Sequence, residues 1–512
     1  MLERHISNMI SKILTAKVYA VARETPLELA SKLSSRVDNR VWLKREDTQP
    51  VFSFKLRGAY NKIYQMPAAD RAKGVICASA GNQAQGVALA AGKLSCSATI
   101  VMPLTTPAIK VEAVRELGGE VVLHGSNYDA AAAHARALAE QTGKTMVPPF
   151  DDEDVIAGQG TVAVEIARQC DEAPDAIFVP VGGGGLIAGI SVYMKHLYPG
   201  TKIIGVEPLE SASMHAALAK GEPVTLDRVG IFADGVSVRR VGDTSFALCK
   251  QYVDEVVLVS NDEICAAIKD VFLDTRAIAE PAGALAVAGL KKYVKTHELS
   301  GQNLVAINSG ANMNFARLVH VAERSSVGEQ SEAIYSVQIP EQKGAFLRFC
   351  NILGARAVTE FNYRLSDSRE ARIFLGVALQ DGQAERETIR RALEAAGYGV
   401  EDLSDNDLAM THIRHTVGGF NAEISDERIL RFEFPERPGA LLSFLESIGT
   451  LWNISLFHYR NHGSDYGRVL AGVQVPAAEL SDFDEHLRTL GYAHWDETEN
   501  VACSLFLGGS PR

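Results

Sequence analysis

A chain of 512 residues exceeds what one hydrophobic core usually serves, so two or more domains are expected. Hydrophobic residues make up 46% and charged residues 22%, the balance of a globular protein with large cores, which excludes a disordered chain. The 51 basic and 63 acidic residues give a net charge of −12 with no Lys/Arg run, which excludes a nucleic-acid backbone as partner, and no stretch approaches the ~20 apolar residues of a membrane span.

The start, Met1-Leu2-Glu3-Arg4-His5-Ile6-Ser7, has no charged-then-apolar leader, and seven cysteines without C-x-x-C spacing read as reduced thiols. A cytoplasmic protein is expected. Further along stand Lys44-Arg45-Glu46-Asp47 and then Ser53-Phe54-Lys55-Leu56-Arg57-Gly58. Lys55, between two apolar residues at a predicted helix start, suits a lowered pKa and Schiff-base chemistry with an aldehyde, although such a lysine alone also reads as a solvated helix residue.

From about Val41 to Ser309 short apolar runs alternate with longer amphipathic segments, an α/β pattern. Runs at Gly74–Cys77, Ala98–Met102, Glu120–Leu123, Ile177–Val181 and Lys202–Val206 lack polar alternation and predict strands buried on both faces. Helices are predicted at Ala130–Glu140 and Gly283–Leu290. The loop Ser79-Ala80-Gly81-Asn82, ahead of a helical stretch, offers free amides to a carboxylate; an ordinary capped helix would look the same.

Four glycines, Gly182 to Gly185, follow the Ile177–Val181 run and lead into Leu186-Ile187-Ala188-Gly189, which reads as strand, bare backbone, helix. Such a turn lets successive amides and a helix N-terminus hold a phosphate. One reading is a dinucleotide fingerprint, with Gly183, Gly185 and Ala188 in G-x-G-x-x-A and Glu207 as the ribose acid. The other is a cofactor with one phosphate and a reactive partner elsewhere; a tight turn without ligand is the third.

Near Ala322–Glu332 the sequence becomes polar without apolar periodicity, and a domain boundary is placed there. Beyond it Ile339-Pro340-Glu341-Gln342-Lys343-Gly344-Ala345-Phe346 recurs as Phe434-Pro435-Glu436-Arg437-Pro438-Gly439-Ala440-Leu441, and Phe361-Asn362-Tyr363-Arg364 as Phe457-His458-Tyr459-Arg460. Each copy predicts a β-α-β-β-α-β unit, with a strand at Tyr335–Ile339 and helices from Gly344 and at Arg386–Ala396. A doubled unit of this kind suggests ligand sensing or assembly.

The motifs at Ser53–Gly58, Ser79–Gly86 and Pro180–Leu186, with Ser309-Gly310-Ala311-Asn312, together resemble the pyridoxal-phosphate-dependent threonine dehydratases over nearly the whole chain. The tandem C-terminal repeat is similar to the paired ACT-like domains of the biosynthetic branch of that family, which begins isoleucine synthesis. The resemblance implies an α/β, tryptophan-synthase-β-like (fold type II) catalytic domain over residues 1–325 and two α+β ferredoxin-like ACT-like domains over 333–405 and 428–500. It implies Lys55 as the Schiff-base lysine, Asn82 near the ring oxygen, Gly182, Gly183, Gly184, Gly185 and Leu186 around the phosphate, and Ser309 at the pyridine nitrogen. Ser79, Ala80, Gly81 and Asn82 would hold the substrate carboxylate. It further implies L-threonine as substrate, a homotetramer, and isoleucine and valine as opposing effectors; the repeat itself places Gly344 and Gly439 just before predicted helices, where bare amides could receive an amino-acid carboxylate. A degradative serine/threonine dehydratase, a serine racemase and a threonine synthase are alternatives of the same class; an NAD-dependent oxidoreductase and a non-catalytic amino-acid sensor belong to others.

Two departures stand out. The family commonly has histidine where this chain has Gln83 and serine where it has Ala282; Gln83 cannot titrate near neutrality. Where some relatives place acidic ligands for a divalent ion, this chain has Glu207, Ser211 and Ser213, a poor set for magnesium.

Overall fold

The computed structural model describes residues 2–315, 317–340, 345–364, 370–406, 409, 414, 424–435, 440–448, 451–460, 466–490 and 492–500. It divides into two compact units, Met1–Gly328 and Glu329–Arg512.

The first unit carries ten strands: β1 (Leu27–Leu29), β2 (Arg40–Arg45), β3 (Val75–Ala78), β4 (Ala98–Met102), β5 (Glu120–Leu123), β6 (Thr145–Met146), β7 (Ala176–Pro180), β8 (Lys202–Pro208), β9 (Glu255–Val259) and β10 (Asn303–Asn308). They form a six-stranded sheet in the order β1-β2-β10-β7-β8-β9, parallel except for β1, and a four-stranded parallel sheet in the order β5-β4-β3-β6. Strands β3, β4, β7 and β10 are buried at every residue, as runs without polar alternation require when helices cover both faces. The predicted buried strand at Glu120–Leu123 is instead the edge of its sheet, and its ends are exposed: an edge strand has a neighbour on one side only.

The predicted helices widen to Tyr128–Thr142 and Pro281–His297. Both units end their cores in ways the sequence hid. The polar stretch at the predicted boundary is largely helical, Arg317–Gly328, with Val321 and Ser325 buried one turn apart against the helix Asn261–Thr275. Arg324 clamps Asp262 with two hydrogen bonds, 2.6 and 3.0 Å, so a cut at residue 325 would fall inside a helix that belongs to the first unit.

The second unit holds β11 (Glu332–Pro340), β12 (Val358–Arg364), β13 (Glu370–Ala378), β14 (Gly399–Asp402), β15 (Glu427–Pro435), β16 (Asn453–Arg460), β17 (Tyr466–Gln474) and β18 (Ala493–Asp496), with helices Ala345–Leu353, Gly382–Ala395, Ala440–Ile448 and Leu480–Leu490. Each copy of the repeat is β-α-β-β-α-β. The copies fuse through β12 and β16, antiparallel with Asn362 opposite His458, into one eight-stranded sheet in the order β14-β11-β13-β12-β16-β17-β15-β18. Matched residues meet at that seam: the rings of Phe361 and Phe457 lie edge to face 5.5 Å apart, and both copies contribute to a single apolar core. Gly344 and Gly439, named as effector cradles, lie outside the described residues.

Candidate active site

The lysine is delivered by backbone geometry. Segment 52–54 runs alongside 309–311: Ser53 bridges Gly310, the Phe54 amide donates to the Ser309 carbonyl at 3.3 Å, and the Ala311 amide donates to the Phe52 carbonyl at 2.9 Å. Phe52 takes φ +53° there, a left-handed conformation that is costly for an aromatic residue and is held by these bonds. Lys55 is then the first residue of the helix Lys55–Gln65, its amide capped by Ser53 Oγ. Lys55 and Ser309, 254 positions apart in the chain, become neighbours through this pairing.

The Lys55 helix is gripped from two sides at glycines. A Cβ on Gly86, in the helix Asn82–Lys93, would sit 3.1 Å from the Leu56 amide, and one on Gly158, in the helix Glu153–Gln169, 2.7 Å from the Arg57 carbonyl. A fully buried ionic cluster fixes the helix further. Arg57 reaches Glu46 at 2.8 Å and Glu165 at 2.6 Å, and Lys44 reaches Glu165 at 2.7 Å. Burial works against the charge of Glu165, yet Arg57 and Lys44 hold its carboxyl below the usual range, while burial pushes Lys44 down.

Lys55 Nζ donates to the Pro149 carbonyl at 2.8 Å and lies 5.3 Å from the Phe54 ring. Burial lowers its pKa to about 8, with the Glu280 charge opposing, so a usable fraction of neutral amine exists near neutrality. Gln83 Nε2 donates to the preceding carbonyl, Pro148, at 3.1 Å, and its own Oε1 is buried without a protein partner. The next residue of this strap, Phe150, lies against the glycine run: a Cβ on Gly183 would fall 2.1 Å from the Phe150 ring. Gly184 takes φ +94° at the entry to the helix Gly185–Leu197. Asp151 receives the amides of Asp243, Thr244 and Ser245, which ties the strap to a further helix start. We expect Gly183→Ala to destabilise the first unit by about 1–3 kcal/mol, because the ring must move away from backbone it now touches. An unchanged thermal midpoint would show that the strap yields freely.

On the opposite side Asn82 opens its helix next to the carbonyl-rich end of β3. Its Nδ2 donates to Glu280 at 2.6 Å and its Oδ1 accepts from Asn312 Nδ2 at 2.6 Å. The loop Ser79–Asn82 is partly exposed, and a Cβ on Gly81 would meet nothing within 4 Å. Ser309 Oγ donates to the Ala282 carbonyl at 3.2 Å, and the neighbouring Asn308 is fully buried with neither amide atom partnered. The sequence reading gave no role to Pro149, Phe150, Asn308 or Glu280. The Glu280-Pro281-Ala282-Gly283 motif was the one signal available for Glu280: a carboxylate just before a proline at a helix start.

The dinucleotide reading fails on Glu207. The residue is fully buried and its two oxygens accept the amides of Met214 and His215, each at 2.8 Å, at the start of the helix Ser213–Lys220. It serves that helix and is fully buried, so a ribose has no access to it. Ser211 Oγ donates to the Gly230 carbonyl at 3.2 Å, and among the described residues no cluster of three His, Cys, Asp or Glu side chains could hold a metal ion.

Residues 18–310 match the family model of pyridoxal-phosphate dependent enzymes, and residues 323–413 and 418–507 each match the model of the C-terminal regulatory domain of threonine dehydratase. The chain is 56% identical over 499 residues to the L-threonine dehydratase biosynthetic IlvA of Pasteurella multocida, covering 97% of each protein. It is 54% identical to the protein of that name from Escherichia coli, over 97% of this chain and 96% of that one. Among solved structures, the processed form of threonine deaminase isoform 2 from Solanum lycopersicum superposes with a TM-score of 0.62 at 52% identity, over 63% of this chain and 94% of that one.

Proposed function

We infer that this chain, which belongs to the pyridoxal-phosphate-dependent biosynthetic threonine dehydratases, is a threonine ammonia-lyase that takes L-threonine to 2-oxobutanoate and ammonia as the first step of isoleucine synthesis. The first unit has the fold type II architecture of those enzymes and the second is their regulatory region. The single observation that carries the reading is the convergence of Lys55, a half-buried lysine of lowered pKa, with the glycine turn at 182–185, the loop 79–82 and Ser309 at the end of β10.

The residues fit the cofactor. Lys55 is an amine with a lowered pKa, Gly184 takes the left-handed conformation at a helix entry, Gly81 borders open space, and the buried Asn308 amide has no partner within the protein. When bound, pyridoxal phosphate supplies an aldehyde for Schiff-base linkage and a ring that accepts the electron pair released at the substrate Cα. In our reading Gly182, Gly183, Gly184, Gly185 and Leu186 hold the phosphate through backbone amides, Asn82 donates to the ring oxygen, and Ser309 offers the ring nitrogen an uncharged partner. An uncharged hydroxyl there, in place of a carboxylate, would favour loss of the β-hydroxyl over transamination. Ser79, Ala80, Gly81 and Asn82 receive the substrate carboxylate. Lys55, as a neutral amine, would be the base that takes the α-proton. That proton balances the β-hydroxide lost as water, and the enamine product would tautomerise and add water to give the oxo acid and ammonia.

In the same reading the enzyme is a cytoplasmic homotetramer whose regulatory unit binds isoleucine as inhibitor and valine as its antagonist. Reduced thiols support the compartment: the six cysteines among the described residues are all free. An effector there acts only through different affinity for two states of the assembly, a coupling typically worth ~1–3 kcal/mol. The structure moves the informative cut to just after Gly328, since ending the chain at residue 322 would remove the Arg324–Asp262 clamp. A chain ending at Gly328 is expected to make 2-oxobutanoate from threonine but to lose isoleucine inhibition and sigmoidal kinetics. Steady-state rates with and without isoleucine decide it: an active truncated enzyme still inhibited would put the effector site in the catalytic unit, and an inactive full-length holoenzyme would refute the assignment itself.

A further inference from the structure

Glu280 stands out among buried ionisable groups because its carboxyl faces the site and no step uses it. It is 3% exposed and precedes the helix Pro281–His297, its amide donating to the Gly310 carbonyl at 3.1 Å. Two glycines make room for it. A Cβ on Gly310 would lie 2.4 Å from Oε1, and one on Gly235 3.8 Å from both Oε1 and Asn82 Nδ2. Oε1 accepts the 2.6 Å hydrogen bond from Asn82.

An asparagine amide has two N–H donors and one carbonyl acceptor. Glu280 can only accept at this contact when ionised, so it fixes which end of Asn82 faces it, and Asn312, donating to Oδ1, fixes the other end. Asn312 is itself oriented by donating to the Val51 carbonyl at 2.8 Å. One Nδ2 hydrogen of Asn82 is thereby left over. Burial pushes the Glu280 carboxyl up to about 7, and the Asp234 charge acts the same way; the Asn82 hydrogen bond, Lys110, which is paired to Asp234 at 2.9 Å, and the Asn312 backbone amide favour its ionised form.

We propose that Glu280 is a positioning residue: it aims the free Nδ2 hydrogen of Asn82 at the cofactor's ring oxygen. The proposal rests on the placement of Asn82 at that oxygen given above. Glu280→Gln keeps an acceptor oxygen and removes the charge; Glu280→Ala removes both. Full-length apoenzyme, prepared with hydroxylamine, is titrated with pyridoxal phosphate and its affinity is measured. Glu280→Gln binds the cofactor within about threefold of wild type, whereas Glu280→Ala, with Asn82 unaimed, binds at least about tenfold more weakly. Binding by Glu280→Gln as weak as that of Glu280→Ala overturns the acceptor role. Wild-type affinity in Glu280→Ala overturns the aiming role. Should Glu280→Ala fail to fold, Asn312→Ala tests the aiming role by the same affinity measurement. Lys55→Ala run alongside separates this claim from the proposed function: a Schiff-base absorbance band formed by that variant with the cofactor would refute the lysine assignment, whatever Glu280 does.

Discussion

Replacing Lys55 by alanine is expected to lower 2-oxobutanoate production at least ~10³-fold, since one residue supplies both the Schiff-base amine and the base for the α-proton. The fold should survive. The ammonium donates to the Pro149 carbonyl and lies over the Phe54 ring, and the helix that begins at Lys55 is anchored by Arg57 and by the Gly86 and Gly158 contacts. Removing a partly desolvated amine leaves one carbonyl unpaired, a cost of about 1 kcal/mol. Lys55→Arg should be as inactive as alanine, because a guanidinium stays protonated and forms no Schiff base. Turnover within tenfold of wild type in either variant, measured on protein with a wild-type thermal midpoint, would move the chemistry to another residue.

The second large effect concerns stability. Arg57→Met is expected to cost about 3–5 kcal/mol, because Glu46 and Glu165 would remain buried with only Lys44 between them. All four side chains are fully buried, and further bonds extend the cluster: Thr25 Oγ1 donates to Glu46 at 2.6 Å, and Arg57 donates to Thr161 Oγ1 at 3.1 Å. The helix would loosen two residues from Lys55, so activity should fall with stability. Denaturant unfolding of wild type and Arg57→Met checks the magnitude, and a loss under about 1 kcal/mol would mean that the cluster relaxes or admits water. Replacing Glu46 and Glu165 by glutamine in the same variant should recover part of the loss, which separates uncompensated charge from lost packing.

Local signals carried far in this chain, and long-range ones did not. A lysine between Phe54 and Leu56, four glycines after an apolar run, and unalternating strands are legible because each is a property of a few adjacent residues. So is the repeat, whose β-α-β-β-α-β copies appear as read. Fusion of the copies into one sheet with one core was not legible, since nothing in either copy alone tells β12 that it will pair with β16. The polar helix Arg317–Gly328 was missed because its partner, Asp262, stands 62 positions away from Arg324, and only a narrow face is buried. Within the site, Lys44, Glu46 and Arg57 lay in the quoted motifs, but their meeting with Glu165 spans 108 positions from Arg57 and leaves no periodic trace. The Pro148–Phe150 strap was invisible for the same reason. The opposite error, the ribose role read into Glu207, came from spacing alone: the acid is where the fingerprint wants it, but it is fully buried and holds the amides of the next helix.

The most direct test is to purify the protein, record its visible spectrum, reduce it with borohydride and map the modified peptide. A pyridoxal-phosphate enzyme linked through Lys55 gives a band at roughly 410–420 nm that borohydride abolishes, with a phosphopyridoxyl group recovered on the peptide containing Lys55 and on no other. A colourless protein that takes up no pyridoxal phosphate, or a label recovered on a different lysine, would contradict the assignment.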